Sequence, residues 1–171
     1  VKYTTHKHPT AYTAQEIAAA LHVPGKQLAK CVLVKTDKGL ALAVLPAIHL
    51  IDFAKLKKLL RVKTLSLTSE AEIKQAFPDV EVGAMSPFGN LYHVPVVADT
   101  ALADAKDIVC NAGSHTESVK LRYQDFERVV TPRVGVFGLH IAKAAKPKAK
   151  AKAASRRPAA KRRPRTRRAA G

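Results

Sequence analysis

Apolar and polar positions along the chain predict several short helices, each opened by a side chain that can cap it. Thr13–Glu16 and Ser69–Glu72 have the capping-box pattern, and Asp52 can cap a third helix. Apolar residues follow each cap at helical spacing. The predicted helices run from Thr13 to about Leu21, from Asp52 through Leu60, and from Ser69 to the residue before Pro78.

Runs of β-branched and apolar residues predict strands, first of all a hairpin. Its arms are Lys30–Lys35 and Leu40–Leu45, and Asp37–Gly39 is the turn. A further helix is expected from Tyr123 or Gln124 to about Val129. Further short strands are expected near residues 80–82, 94–98, 108–111, 118–121 and 133–137. Strands and helices do not alternate regularly, so the pattern predicts a mixed α/β fold, with a mixed sheet or a part-closed barrel and helices outside it.

Charge divides the 171 residues into two parts. The net charge is +17, and thirteen of the thirty basic residues follow residue 142, where no acidic residue occurs. We therefore predict a folded domain over residues 1–142 and a disordered Ala/Lys/Arg/Pro tail over 143–171. Basic tails bind nucleic acid by releasing counterions, so Lys143–Arg168 is expected to contact nucleic acid. The alternative is a solvated tail that only aids solubility.

Cysteine usage and hydropathy exclude several classes of protein. Cys31 and Cys110 lie far apart outside any CxxC motif, which disfavours a disulfide framework and a zinc site and favours buried thiols. No run approaches the roughly 18 apolar residues of a membrane span. The N-terminal residues lack the apolar stretch of a signal peptide. These features predict a cytoplasmic protein without a membrane partner.

Two glycine-containing loops and one lysine are the candidate site. The loops are Gly83–Gly89 and Asn111–Glu117, and Lys30 begins the apolar strand Cys31–Val34. Glycine lets a backbone approach a ligand closely, and loops on a rigid scaffold often carry function. The sequence contains no P-loop, G-x-S-x-G or H-E-x-x-H motif, and its histidines lack ligand spacing. We predict no metal and no cofactor.

Four segments together resemble the YbaK/ProX family, the free-standing relatives of the editing domain of bacterial prolyl-tRNA synthetases. They are His8–Ala18, Val23–Lys30 with the strand after it, the loop Gly83–Gly89 and the segment Ala112–His115. Gly83 and Pro87 match the GxxxP element of the family. Each segment alone is a weak signal, but four in order at suitable spacing are specific for the superfamily.

The resemblance implies a fold, an activity and a set of site residues. The fold is a mixed α/β domain around a barrel-like sheet, and the activity is hydrolysis of the ester that joins a wrong amino acid to the 3′ end of tRNA. Lys30 matches the essential lysine of the family. The implied catalytic residues are Lys30, Gly83 and His115, and the implied substrate-binding residues are Cys31, Ser86, Pro87, Phe88, Gly89, Gly113 and Ser114.

The chemistry implied for this site uses water as the nucleophile, because Ser86, Ser114 and the cysteines have no sequence-evident base partner. Lys30 is expected to anchor the terminal phosphate or ribose, and the backbone of the GxxxP loop to hold the terminal adenosine. His115 either lines the amino-acid pocket or is a hydrogen-bonded structural histidine. Cys31 departs from some relatives, which leaves the amino acid open among small ones such as alanine or cysteine.

Two further interpretations remain open at this point. The chain could be a non-catalytic RNA- or DNA-binding module in which the pocket is vestigial and the basic tail binds. Regulation of a synthetase or another partner leaves no readable trace in the sequence. With the deacylase interpretation, the expected partners are aminoacyl-tRNA and, as a candidate, prolyl-tRNA synthetase.

Overall fold

The computed structural model describes residues 1–140, which form a mixed α/β domain. The predicted tail, Lys143–Gly171, lies outside the described residues. The strands are β1 (Tyr3–Lys7), β2 (Ala29–Thr36), β3 (Gly39–Pro46), β4 (His49–Ile51), β5 (Leu65–Leu67), β6 (Val96–Asp99), β7 (Asp107–Asn111), β8 (Glu117–Arg122), β9 (Arg133–Gly135) and β10 (Gly138–His140). The helices are α1 (Ala14–Ala20), α2 (Phe53–Leu60), α3 (Glu70–Ala76) and α4 (Tyr123–Val130).

The predicted hairpin is the centre of the largest sheet. β2 and β3 pair antiparallel from Ala29–Pro46 to Thr36–Gly39. The five-stranded sheet has the order β5-β2-β3-β6-β9, with β3-β6 and β6-β9 parallel. A second sheet has the order β1-β8-β7, and β4 pairs with β10. These ladders do not close a barrel within residues 1–140, so the mixed α/β class is confirmed and the barrel-like curvature stays a prediction.

Side chains alternate across the central hairpin, and each face of the sheet buries its own core. Leu33, Leu42 and Val44 pack on one face, together with Phe77, which follows α3, and the aromatic rings of α4. Val34 and Leu45 pack on the other face, where α2 contributes the fully buried Leu56. This alternation follows from the period of two in a β-strand. Both arms of the hairpin are therefore fixed in register from both sides.

A third, smaller core joins the N-terminal segment to one end of the hairpin. It contains Ala11, Ile17 of α1, Leu28, Ala47 and Val109. A parallel bridge between Leu28 and Val109 links the beginning of β2 to β7. The cluster therefore brings α1, β2 and β7 together at the end of the hairpin where Lys30 lies.

The helix caps follow the sequence prediction. The Thr13 and Ser69 side chains each accept a hydrogen bond from the backbone N–H of the glutamate three residues on, and each glutamate side chain accepts from the cap backbone N–H in return. The Asp52 carboxylate accepts from the backbone N–H groups of Ala54 and Lys55, both at 3.1 Å. No helix in the described part of the chain is long and apolar enough to span a membrane.

The strand expected near residues 80–82 is wrong, because this segment forms turns. The Val80 N–H donates to the Phe77 carbonyl and the Ala84 N–H to the Glu81 carbonyl, so the chain closes on itself instead of joining a ladder. The expected final strand, 133–137, is shorter. It ends at Gly135, and the Asp99 carboxylate accepts from the N–H groups of Phe137 and Gly138.

Candidate functional site

A small cavity of about 150 Å³ lies where α1, the beginning of β2 and the end of β7 meet. Its walls come from elements that are distant in sequence and are held together by the small core around Ile17 and Leu28. The lining residues are Tyr12, Ala14, Gln15, Ile17, Leu28, Ala29, Lys30, Cys31, Gly83 and Asn111. A cavity of this size holds a group about as large as one small ring.

Lys30 is the charged residue of this cavity. It pairs with Leu45 in the β2–β3 ladder, which fixes its backbone. The residue is half-buried, and burial lowers the pKa of its amine because removal from water disfavours the charged form. Within residues 1–140 the Lys30 amine has no hydrogen-bond or ion-pair partner. A partly desolvated cation without a carboxylate is available for an anionic or polar ligand.

Gly83 brings backbone to the cavity in a conformation that favours glycine. Its φ is +90°, and a Cβ atom built there would lie 3.5 Å from Cε1 of His115. The Asn111 side chain donates to the Gly83 carbonyl at 3.4 Å, which ties the loop to the end of β7. The loop therefore presents main-chain groups beside Lys30 without a side chain of its own.

The two glycine-containing loops form one unit. The Glu81 N–H donates to the Gly113 carbonyl at 2.9 Å, and the Gly113 N–H donates to the Ala84 carbonyl at 3.2 Å. The Glu81 carboxylate accepts from the His115 N–H at 2.7 Å. Gly113 has a φ of +97° and provides the bend that these contacts need. The sequence placed these loops 30 residues apart, and the turns at 80–84 bring them together.

His115 is locked between two backbone carbonyls. Its Nδ1 lies 3.2 Å from the Ala11 oxygen and its Nε2 lies 3.0 Å from the Val82 oxygen. The Tyr12 ring lies against it, with ring centroids 4.7 Å apart. A neutral imidazole has one N–H and can donate to one carbonyl, whereas the protonated ring can donate to both. Either way, both nitrogens face backbone acceptors, so the ring is a fixed wall behind Tyr12 and Gly83.

The two cysteines are free thiols in the same core region. Burial and the neighbouring Cys110 raise the pKa of the Cys31 thiol well above its usual range. Burial raises the pKa of Cys110 to about 12, and its thiol lies 3.6 Å from the Val119 carbonyl. A neutral thiol is a weak nucleophile, so Cys31 contributes shape to the cavity and not a thiolate.

The sequence matches the model of the aminoacyl-tRNA editing domain over residues 8–129. This match covers both loops, Lys30 and His115, and spans more than half of the chain. The chain belongs to the aminoacyl-tRNA editing domain family. The predicted family is thereby confirmed. The model covers the segments that carried the resemblance and ends before the basic tail.

Proline–tRNA ligases are similar to this editing domain over a limited region. The enzyme of Thiobacillus denitrificans is 30% identical over 105 residues, which are 61% of this chain and 18% of the ligase. The enzyme of Exiguobacterium sibiricum is 30% identical over 123 residues, which are 71% of this chain and 21% of the ligase. The chain thus spans about a fifth of the length of the curated relatives it matches.

Solved structures share the fold of the editing domain. A protein described as a proposed trans-editing enzyme for prolyl-tRNA synthetase superposes with a TM-score of 0.73 over 80% of this chain and 87% of its own, at 17% identity. A hypothetical protein superposes with a TM-score of 0.75 over 81% of this chain and 93% of its own, also at 17% identity. At this identity the likeness establishes the fold.

The editing domain brings Lys30, Cys31 and Gly83 together at the cavity, with His115 directly behind them. The other predicted loop residues do not line it. Ser86 is half-buried, and Pro87 and Gly89 are buried in the packing of their own loop. Phe88 lines a separate apolar groove with Tyr3, Leu91 and Val129. In the second loop, Gly113 forms the link to Glu81, and the Ser114 hydroxyl lies 3.4 Å from that of Thr116.

The site residues named from the sequence leave out two polar lining residues of the editing domain, Tyr12 and Gln15. A third, Asn111, begins the second candidate loop but was not singled out. Tyr12 directly precedes the capping box and is 70% exposed, which is unusual for an aromatic ring on a short helix entry. Asn111 is the last residue of β7 and the first residue of the second loop. An exposed ring and a strand-end amide are signals that could have identified both. Gln15 gives no comparable signal.

A larger concavity of about 540 Å³ lies near the hairpin turn, at the opposite end of β2 and β3. Its lining includes Lys38 and Arg133, whose side chains donate to the Arg61 and Leu59 carbonyls at the end of α2. Unlike the Lys30 amine, both side chains already have a hydrogen-bond partner at the end of α2. No group of three or more His, Cys, Asp or Glu side chains within residues 1–140 is placed to hold a metal ion.

Proposed function

We propose that this chain is a trans-acting deacylase that removes a small, wrongly attached amino acid from tRNA. The observation that carries the proposal is Lys30, a half-buried amine without a partner in residues 1–140, beside the backbone of Gly83 in a cavity of about 150 Å³. Membership of the editing domain family supports the reaction class. Alanine or cysteine on the tRNA for proline is the proposed substrate.

The proposed reaction is hydrolysis with water as the nucleophile. Water attacks the ester carbonyl, the bond between the acyl carbon and the ribose oxygen breaks, and the amino acid and the free 3′ hydroxyl are released. An aminoacyl ester is already activated, so positioning and charge stabilisation are enough. Lys30 anchors the terminal phosphate or ribose, and main-chain groups from Gly83 onward hold the terminal adenosine. The 2′-hydroxyl of the substrate helps to orient the water.

The size of the cavity and the fixed His115 ring support selection by exclusion. Because both imidazole nitrogens face backbone carbonyls, the ring has little freedom to move aside for a larger side chain. His115 therefore supports the pocket wall from behind Tyr12 and Gly83. Cys31 adds a neutral thiol to the lining. Selection by size among small apolar groups is weak, which is the physical reason for a separate editing site.

The basic tail is proposed to add affinity for tRNA. A small editing domain offers limited surface to a large RNA, and the cations of Lys143–Arg168 would compensate through counterion release. Deleting residues 143–171 should weaken tRNA binding and flatten its salt dependence, while small aminoacyl esters are still cleaved. Unchanged tRNA affinity after the deletion would contradict this role. Prolyl-tRNA synthetase is the candidate protein partner.

A panel of mischarged tRNAs tests the proposed function. Alanyl- and cysteinyl-tRNA for proline are compared with correctly charged prolyl-tRNA, with the intact chain, Lys30→Ala and Lys74→Ala. Lys74 is an exposed lysine on α3, so its variant has the same charge change away from the cavity. We expect the intact chain and Lys74→Ala to cleave at least one mischarged tRNA, and Lys30→Ala to lose about 100-fold or more in kcat/KM.

Two outcomes contradict the proposal. If the intact chain binds tRNA but cleaves none of the panel, the alternative of a non-catalytic nucleic-acid-binding module is favoured. If Lys30→Ala cleaves as well as the intact chain, Lys30 is not the anchor. Circular dichroism of each variant shows whether a loss of activity reflects a loss of folding.

A further inference from the structure

A concentrated positive surface lies on α2 and the hairpin turn, away from the Lys30 cavity. We call it the α2 patch, and all of its basic side chains are exposed. Its members are Lys38, Lys55, Lys57, Lys58, Arg61 and Lys63. The outer side of α2 also forms a shallow groove of about 570 Å³ lined by four of these residues together with Ala54 and Val62. The patch is therefore a concave surface and not a scatter of single charges.

The α2 patch accounts for the net charge of the described chain. Residues 1–140 contain 17 basic and 13 acidic side chains. The patch contributes six of the basic ones, and the acidic residues beside it are Asp37 and Asp52. Outside the patch and these two carboxylates, residues 1–140 contain eleven basic and eleven acidic side chains. The positive field of the folded part therefore originates at this one surface.

The charges of the α2 patch are largely uncompensated. Lys55 lies 3.7 Å from Asp52, whose carboxylate also caps α2. Asp37 accepts hydrogen bonds on Oδ1 from the backbone N–H groups of Thr64 and Lys63, which lowers the pKa of its carboxyl, and the charge of Lys38 lowers it further. Lys57, Lys58 and Arg61 have no ion pair in the described residues. Elsewhere, Lys7, Lys35, Lys120 and Arg128 are paired with carboxylates.

The spacing on the helix concentrates these charges further. Lys57 and Lys58 lie four and three residues before Arg61, so the three side chains are neighbours on the helix surface. Like charges at this spacing repel one another and destabilise an isolated helix. A polyanion that lies across the groove would relieve this repulsion. The arrangement therefore fits a ligand with several regularly spaced negative charges.

The position of the α2 patch relative to Lys30 suits a stem with an unpaired end. Lys30 lies near the beginning of β2, and Lys38 of the patch lies just beyond its end, where its amine donates to the Arg61 carbonyl. From Lys30 to Thr36 the strand advances six residues, about 20 Å at about 3.3 Å per residue. The cavity and the patch are therefore separated by more than the length of one nucleotide, a distance that a stem with an unpaired 3′ end can span.

We infer that the α2 patch binds the phosphates of the base-paired stem of an RNA whose unpaired 3′ end reaches the Lys30 cavity. The inference rests on the proposed function and assigns the stem to a surface that the catalytic residues do not include. Exposed lysines bind phosphate as point charges without reading sequence. The patch would therefore bind different tRNAs with similar affinity, and the cavity would select the attached amino acid.

The surface favours an RNA duplex over a membrane. The apolar side of α2 is occupied, because Leu56 is fully buried in the core of the central sheet. A helix that inserts into a lipid surface needs that side free. Phe53 of α2 is 41% exposed but does not line the groove, so stacking on unpaired bases is not the means of binding within the groove. The patch therefore binds its ligand through charge, and the regularly spaced phosphates of a duplex suit this mode of binding.

The test compares two triple variants in the full chain, tail included. Lys57→Gln/Lys58→Gln/Arg61→Gln removes three charges from the α2 patch. Lys2→Gln/Lys74→Gln/Lys106→Gln removes three exposed charges that are scattered elsewhere. The probes are a stem-loop RNA with an unpaired 3′ end and the same 3′ end as a single strand. Binding is measured at several salt concentrations, and deacylation is measured on tRNA and on the 3′-alanyl ester of adenosine 5′-monophosphate.

We expect the patch variant to bind the stem-loop roughly tenfold more weakly at low salt. Its salt slope should fall by about 2 to 3, because each phosphate contact contributes about 0.9. The scattered variant should change little, and both should cleave the small ester like the intact chain. The inference is overturned if both triple variants weaken stem-loop binding equally. It is also overturned if the patch variant loses as much affinity for the single strand as for the stem-loop. A patch variant that loses binding to phosphatidylserine vesicles and not to RNA overturns it as well.

The failure of the inference and the failure of the proposed function are distinguishable. An intact chain that cleaves neither tRNA nor the small ester contradicts the proposed function, whatever the patch binds. An intact chain that cleaves tRNA, together with a patch variant that binds and cleaves it equally well, contradicts the inference alone. Circular dichroism and thermal denaturation show that the exposed substitutions leave the fold intact.

Discussion

The two ends of the β2–β3 hairpin carry positive charge in opposite ways. At one end, Lys30 is a single half-buried amine in a cavity of about 150 Å³. At the other end, the α2 patch exposes six basic side chains, four of which line a shallow groove. The same residue type therefore occurs in two physical settings, and the two settings suit different tasks.

The difference between the two ends follows from the exposure of their charged side chains to water. A charge that is partly removed from water interacts strongly with one ligand group, and its pKa responds to that environment. Exposed charges are screened individually, so they act through their number and lose strength in salt. The cavity end can therefore position one ester, whereas the patch end can hold a long polyanion. Four predictions test this division, ordered from the largest expected effect to the smallest.

Lys30→Met should have the largest effect, because it removes the single desolvated charge and keeps a similar length. We expect kcat/KM to fall about 100-fold or more on both mischarged tRNA and the 3′-alanyl ester of adenosine 5′-monophosphate. The triple patch variant should lose activity on tRNA alone. The measurement is steady-state deacylation of both substrates by both variants.

The 3′-alanyl ester of unphosphorylated adenosine serves as the control for this prediction. If Lys30 anchors the phosphate, Lys30→Met and the intact chain should cleave this ester at similar rates. If Lys30 contacts the ribose, the loss should persist. If Lys30→Met still cleaves the phosphorylated ester, Lys30 is no more important for the reaction than a lysine of the α2 patch. This result would contradict the proposed difference between the two ends of the hairpin.

Gly83→Ala should have the next largest effect. Its φ of +90° disfavours any L side chain by about 1–2 kcal/mol, so the loop backbone beside Lys30 should shift. We expect roughly a tenfold loss of kcat/KM on the small ester, together with a lower Tm. Gly39→Ala is the matched control, because its φ is +109° and nothing lies within 4 Å of a built Cβ.

Gly39 lies in the hairpin turn, at the opposite end from the cavity. Gly39→Ala should lower Tm by a comparable amount and leave cleavage of the small ester unchanged. Equal losses of activity in the two variants would mean that global stability, and not the local position of the loop, controls the reaction.

Lys30→Arg should change the pH dependence of deacylation. Burial lowers the pKa of the Lys30 amine, so its charge is lost as pH rises through a value below that of an ordinary lysine. Arginine keeps its charge in this range. The alkaline fall in kcat/KM should therefore move to higher pH in the variant, after subtraction of spontaneous ester hydrolysis. An identical alkaline limb in both proteins would show that another group causes it.

Asp37→Asn should have the smallest effect, at the turn end. The backbone N–H of Thr64, followed by that of Lys63, lowers the pKa of the Asp37 carboxyl in the folded state. Its stabilising contribution is therefore present above the unfolded-state pKa and is lost as pH falls through the lower folded-state value. We expect a small decrease in Tm at pH 7 that shrinks in acid, measured by thermal denaturation. A constant difference at every pH would contradict this linkage.

Local sequence signals predicted the helices and the hairpin well. The capping boxes at Thr13 and Ser69 and the Asp52 cap depend on residues within three positions, and each forms as expected. The short strands β1, β4, β5 and β10 were not predicted. Each has three to five residues and depends on a partner that is distant in sequence, such as Leu121 for Tyr3. Local pattern carries little information on such pairings.

The candidate site likewise contains residues that the sequence identified and residues that only the structure identified. The resemblance to editing domains identified Lys30, Gly83 and His115, and the structure places them around one cavity or directly behind it. It also implied Phe88 and Ser114 as substrate-binding residues, whereas the described cavity is lined instead by Tyr12, Gln15 and Asn111. Whether each of these residues contacts substrate stays a prediction. The turns at 80–84 decide which residues of the loop reach the cavity.

The sequence by itself determined the helix caps, the hairpin, the family and the uneven distribution of charge between the folded part and the tail. Those features rest on near neighbours or on composition. Tertiary structure alone decided that Lys30 loses water, that both His115 nitrogens face the Ala11 and Val82 carbonyls, and that the charges on α2 and the hairpin turn form one surface. Burial and charge density depend on which distant segments meet, and only the folded chain brings those segments together.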